Sequence, residues 1–114
     1  MKVANLAMVL MTAASDAHAS NGNDINRWCE NDPAIALAYI DGIMDAYATV
    51  GPPIDYCPAR DVTYGQVRDV VCKWVNNNPE ERHRSGALLV PLALSTVWAC
   101  EDQSPSTESC RCNR

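Results

Sequence analysis

Apolar residues recur along most of this chain at intervals of three and four, the spacing that keeps one face of an α-helix dry. Between residues 33 and 50 that face carries Ala36, Ile40, Ile43 and Tyr47, and farther on Val67, Val71 and Trp74 repeat it. A shorter helix begins near Asp24 and carries Ile25 and Trp28. Period-two alternation, the mark of a half-buried strand, is weak throughout. From Gly86 to Ala99 there are 14 residues without a charge. That is too short for a bilayer, which needs about 20. A helix apolar on all sides belongs in a core or against a second copy of the chain.

The polar and special residues between these runs set the boundaries. Asp32-Pro33 has the form of an N-cap followed by proline at the first helical position, and Gly51-Pro52-Pro53 stops that helix. Thr63-Tyr64-Gly65-Gln66 is a capping box, in which the threonine oxygen takes the Gln66 amide and the Gln66 side chain reaches back. Val62 and Val67 flank it as a hydrophobic staple. Asn76-Asn77-Asn78 breaks the third helix, and Asn78-Pro79-Glu80-Glu81 begins the last one by the same capping logic. Pro91 should kink that helix near Ala87, whose carbonyl loses its backbone donor. The expected fold is all-α, a compact bundle of about four helices, with a disordered polar tail from Glu101 to Arg114.

Residues 1–19 read as a secretory signal: Lys2, an apolar stretch from Val3 to Ala14, and Ala17-His18-Ala19 before a cut at Ser20. The expected organisation is a signal peptide at 1–19, a helical domain at 20–100 and a tail at 101–114. All six cysteines (Cys29, Cys57, Cys72, Cys100, Cys110, Cys112) lie beyond the cut. An even count in a short exported chain points to disulfides, but six cysteines permit 15 full pairings. The signal contains one base and one acid, so the net charge stays at −5 after its removal. An acidic domain of this kind repels nucleic acid and anionic lipid, so neither nucleic acid nor, after signal cleavage, a membrane is an expected partner.

Candidate chemistry is sparse. His83 is the one imidazole of the mature chain, and a Cys–His nucleophile pair would have to use it. Its expected place in the first turn of a helix disfavours the protonated ring. Cys110-x-Cys112 is the only close pair of metal-type ligands and lies in the tail, so no zinc site is expected. Asp41 and Asp45 stand four apart on one helix face, where like charges cost a few tenths of a kcal/mol. An Asp45 bridge to Arg82 or His83 would offset that repulsion. Trp28, Trp74 and Trp98 fall at helical spacing among apolar residues, which favours a core role. No phosphate-binding loop, dinucleotide fingerprint or basic stripe is present. The chain reads as a binding protein, with no enzyme activity and no cofactor.

Taken in order, the motifs resemble the Rap/Tai immunity proteins, which protect bacteria from peptidoglycan amidases delivered by type VI secretion. The resemblance runs through Trp28-Cys29, Tyr39-Ile40-x-Gly42-x-x-Asp45-Ala46 and Tyr56-Cys57. It continues with Val62-Thr63-x-Gly65-Gln66, Lys73-Trp74-Val75, Pro79-Glu80-x-Arg82-His83, Leu89-Val90-x-x-Ala93-Leu94 and Cys100. It implies a helical periplasmic protein, often a homodimer, that binds a secreted peptidoglycan amidase and occludes its active site. It makes Asp45, Thr63, Gly65, Gln66, Arg82 and His83 scaffold residues. Family-like chains commonly carry a cysteine where this one has Ala36, which leaves the partner of Cys57 open between Cys72 and none. A Cys29–Cys100 bridge is the expected pairing. Partner contacts are expected in exposed loops on the helical frame, from Gly51 through Asp55 and Tyr56, and at Asn76, Asn77 and Asn78. The competing reading is a stand-alone periplasmic chaperone that exposes the uncharged last helix to unfolded clients.

Overall fold

The computed structural model describes residues 18–101. Residues 1–17, within the expected signal peptide, and residues 102–114, with Cys110 and Cys112 and most of the expected tail, lie outside the described residues. Four α-helices follow one another: α1 (Gly22–Asn31), α2 (Pro33–Val50), α3 (Tyr64–Asn77) and α4 (Gly86–Ser95). One turn of 3₁₀-helix, Pro79–Glu81, lies between α3 and α4. The described residues contain no strand, only an isolated antiparallel bridge between Asn21 and Ser85.

Local chemistry explains most of the boundaries. The Thr63 capping box forms as expected: Gln66 N donates to Thr63 Oγ1 at 3.2 Å and Thr63 N donates to Gln66 Oε1 at 2.8 Å. Val62 and Val67 both pack into the core beside it. A second capping box, not expected from the sequence, starts α1. Asn21 Oδ1 accepts from the amides of Asn23 and Asp24, while the Asp24 carboxylate accepts from Asn21 N. Asp32 is the boundary residue before α2 with Pro33 at the first position, but its side chain caps nothing.

The last helix differs most from expectation. It does not begin at Asn78, whose side chain turns back to donate to Trp74 O at 2.7 Å. It begins eight residues later, at Gly86, and ends at Ser95. The break is made by distant backbone: Gly22 N donates to Arg84 O at 3.1 Å, Asn23 N to Arg82 O at 3.1 Å and Gly86 N to Ser20 O at 2.9 Å. Residues 20–23 thus lie alongside 82–86 and take carbonyls that a continuous helix would have used. The approach is close enough to require glycine. A Cβ at Gly22 would lie 2.7 Å from Arg82 Cα, and one at Gly86 would meet the Tyr39 ring and Ile25 Cδ1.

Helix α4 is the centre of the core, not an exposed surface. Leu89, Val90, Pro91, Ala93 and Leu94 are buried, and Val90, Ala93 and Leu94 form one core with Ile25 of α1, Ile40 of α2 and Val67, Val71 and Val75 of α3. Each fully buried branched side chain contributes about 1.5–3 kcal/mol relative to exposure. The surface the chaperone reading needs is therefore mostly inside; Leu88 and Leu92 remain outside. Trp28, Trp74 and Trp98 are half-buried and pack on this core, as their spacing suggested.

Two disulfides close the bundle, with a pairing other than Cys29–Cys100. Cys29 of α1 joins Cys72 of α3 (Cα–Cα 5.7 Å), and Cys57 joins Cys100 (Cα–Cα 4.9 Å). The reason is the packing of α1 on α3, which brings Cys29 to Cys72. The chain leaving α4 returns instead to the α2–α3 connection, where Cys57 N donates to Trp98 O at 2.8 Å.

Candidate functional site

An open groove of about 920 Å³ runs between the second half of α2, the connection after it and the start of α3. Its walls are largely apolar, with Met44, Ile54, Tyr56 and Tyr64 among them, and Pro52 and Pro53 form one rim. Asp41 and Asp45 bring the only charges, and among the described residues that line the groove none is basic. Tyr64 is 70% exposed at the N-terminus of α3. A large amphipathic ring left in solvent beside a groove is the kind of residue that anchors protein interfaces.

The connection that forms the groove's rim is irregular but well tied. Two prolines restrict its backbone, and its far end is fixed by Cys57–Cys100. Asp55 Oδ1 accepts from Cys100 N at 2.7 Å. Tyr56 meets Trp98 edge to face, with ring centroids 6.2 Å apart. Asp55 is therefore a brace for the loop as well as an exposed residue, and Tyr56 is a half-buried wall of the groove.

The other expected contact stretch is elsewhere. Asn76 and Asn77 end α3 and are exposed, while Asn78 is half-buried. Most of α3 separates this turn from Val67, the last residue of that helix in the groove lining, about 15 Å along the axis. The two stretches do not make one surface. Only the Gly51–Tyr56 segment belongs to the groove.

Arg82 has a different role from the expected bridge to Asp45. Its Nε donates to Val75 O at 2.6 Å and its Nη2 to Asn76 O at 2.8 Å. The guanidinium thus takes two carbonyls at the C-terminus of α3, where a cation also complements the helix dipole. His83 is not in a helix; it is exposed in the turn before α4, with Nδ1 2.9 Å from Glu80 O. The four described cysteines are bonded in pairs, so none of them is a thiolate beside His83. Gly65 is not required by packing, since a Cβ there would meet nothing closer than Thr63 Oγ1 at 3.8 Å.

A consequence of Pro91 also falls on this side of the bundle. Without an N–H at residue 91, Ala87 O has no donor in its own helix. Tyr47 Oη supplies one at 3.0 Å. The orphan carbonyl was legible from the proline, whereas its donor, 40 residues away, was not.

The family model for Rap1a immunity proteins matches residues 10–100, a span that takes in all four helices. The chain belongs to the Rap1a immunity protein family. No curated protein and no solved structure matches it. Membership gives the chain the class of an immunity protein, one directed at a secreted effector. Such a family is not typically enzymatic. Within the family frame the Thr63–Gln66 box and Arg82 hold the two ends of α3, while Asp45 faces the groove.

Proposed function

We propose that this protein is a periplasmic immunity protein that binds a secreted peptidoglycan amidase and blocks its active site. The observation that carries the reading is the braced 51–57 segment beside an open groove, in a chain whose family binds effectors. A segment held by two prolines and a disulfide loses little conformational freedom on binding, which favours tight association. Export is part of the proposal: the signal is removed before Ser20, and both disulfides form in the oxidising periplasm. Ser20 O accepts from Gly86 N, so the domain uses its chain from that residue on. The protein performs no chemistry of its own in this role.

The test is peptidoglycan hydrolysis by a candidate cognate amidase, sought in the reading frame beside this one, with and without the oxidised protein beginning at Ser20. Inhibition that reaches completion at a fixed stoichiometry is expected. An active amidase that neither binds the protein nor loses activity would overturn the reading.

A further inference from the structure

We propose that the groove between α2 and the 52–58 segment receives a cationic segment of the effector, a Lys or Arg side chain lying between Asp41 and Asp45. This rests on the effector-binding reading above and adds the chemistry of the contact. The argument begins with what the groove lacks. Asp41 and Asp45 are one helical turn apart, a spacing at which two carboxylates repel. Three acids elsewhere on the bundle meet cations, Asp24 with Arg27, Asp69 with Arg68 and Glu81 with Arg84, whereas Asp41 and Asp45 are the acids that line the groove. Among the described residues neither the Asp41 nor the Asp45 carboxylate has an ion pair or hydrogen bond. Arg82 is committed to the end of α3, and neither Arg60 nor Lys73 lines the groove.

The second part of the argument is the wall around the two charges. Met44, Ile54, Tyr56 and Tyr64 line the same groove with apolar and aromatic surface. A long basic side chain matches that combination, because its methylene stem packs on apolar walls while its head reaches the carboxylates. Aromatic faces add attraction for the same head group. An apolar partner would leave two carboxylates desolvated without a counter-charge, which is costly. An acidic partner would add repulsion. The groove selects for positive charge.

Two measurements on the exported, oxidised protein test this. In the first, ¹⁵N spectra are recorded with the peptides Ac-Trp-Arg-Trp-Arg-NH₂ and Ac-Trp-Glu-Trp-Glu-NH₂. The cationic peptide should shift the amides of Met44, Tyr47, Tyr64 and Val67, and the acidic one should not. The Asp41→Asn/Asp45→Asn protein should lose the response, whereas Glu30→Gln/Glu80→Gln, with the same change in net charge, should keep it. The groove variant should fold normally, since it removes a repulsion and no partner. Equal shifts with both peptides, no shifts, or shifts confined to other faces would overturn the proposal. So would groove amides that move on deletion of residues 102–114 or on dilution, which would assign the groove to the chain's own tail or to a second copy. In the second measurement, the amidase is titrated with each protein. The groove variant should inhibit at least tenfold more weakly than wild type, and wild-type binding should weaken with added salt. Full inhibition by the groove variant would move the contact elsewhere and leave the immunity role standing. A peptide response in the groove, without amidase inhibition by wild type, would keep the groove's chemistry and remove the amidase.

Discussion

Cys29–Cys72 and Cys57–Cys100 each span 43 residues, yet they hold regions of opposite character. The first joins α1 to α3, two helices already pressed together through Ile25, Val71 and Val75. The second joins the irregular α2–α3 connection to the chain just beyond α4, where one backbone hydrogen bond, the Asp55 brace and the Tyr56–Trp98 contact do the rest. Equal loop length gives the two bridges the same effect on the unfolded chain, about 4 kcal/mol on a chain-entropy model. What differs is how much freedom the native state regains when each is cut. A packed helix pair stays put. A connection with few other contacts opens locally, and that regained entropy offsets part of the loss.

The largest effect should therefore follow Cys29→Ser/Cys72→Ser. The expected cost approaches the full ~4 kcal/mol, or a fall in Tm of more than ~15 °C by calorimetry. Cys57→Ser/Cys100→Ser should cost less globally, about 2 kcal/mol, while amide exchange across residues 52–62 and 96–100 accelerates and effector inhibition weakens. Equal global losses with no local change in exchange would mean that the loop side is packed as firmly as the helix side, and the comparison would fail.

The same division marks what could be read from the sequence. Features written in a few neighbouring residues were legible: the Thr63–Gln66 box, the stop at Gly51-Pro52-Pro53, the apolar stripe of α3 and the uncharged run that became the core of α4. Features that depend on distant backbone were not. Nothing local to Arg82–Ser85 says that residues 20–23 will dock there and end a helix before it begins. The Asn21 cap was hidden for a related reason, because Asp24 at the third position serves as the reciprocal acceptor where glutamate or glutamine is the usual sign. The cysteine pairing followed from the packing of α1 on α3, and a list of spacings does not contain that packing. Within the groove, Asp41 and Asp45 could be seen as a repelling pair, but only the fold placed them in one groove with Tyr56 and Tyr64. Arg82 could be seen as a scaffold residue, but its carbonyl partners on α3 set its use.

A smaller effect sharpens the comparison at a single bond. Tyr47→Phe removes the donor to Ala87 O and should cost about 1 kcal/mol in denaturant unfolding. Pro91→Ala restores an N–H that can take the same carbonyl from within α4. In that background Tyr47→Phe should cost markedly less, and the coupling in the double-mutant cycle measures how far the tyrosine stands in for the missing backbone donor. Strict additivity would show that water already satisfies Ala87 O, and that the groove side of α4 does not depend on Tyr47.

Tyr39, two turns earlier on α2, makes the parallel contact on the helix-packed side, donating to Ser20 O at 3.3 Å. Burial raises its pKa above the usual 10.0, helped by the negative charge of Asp24 and opposed by a hydrogen bond with the Ser20 side chain. The folded state thus holds the phenol proton more tightly than the unfolded chain does. The resulting stability is fully present below about pH 10 and is lost as pH rises through the folded-state pKa. Tyr39→Phe has no proton to lose. Its deficit against wild type should be constant from pH 7 to 9 and should shrink above pH 10, as measured by Tm across that range. A deficit that stays constant to pH 11 would mean that the Tyr39 hydroxyl is as solvated as in an unfolded chain. The seam between residues 20–23 and α4 would then be no tighter around its tyrosine than the open groove.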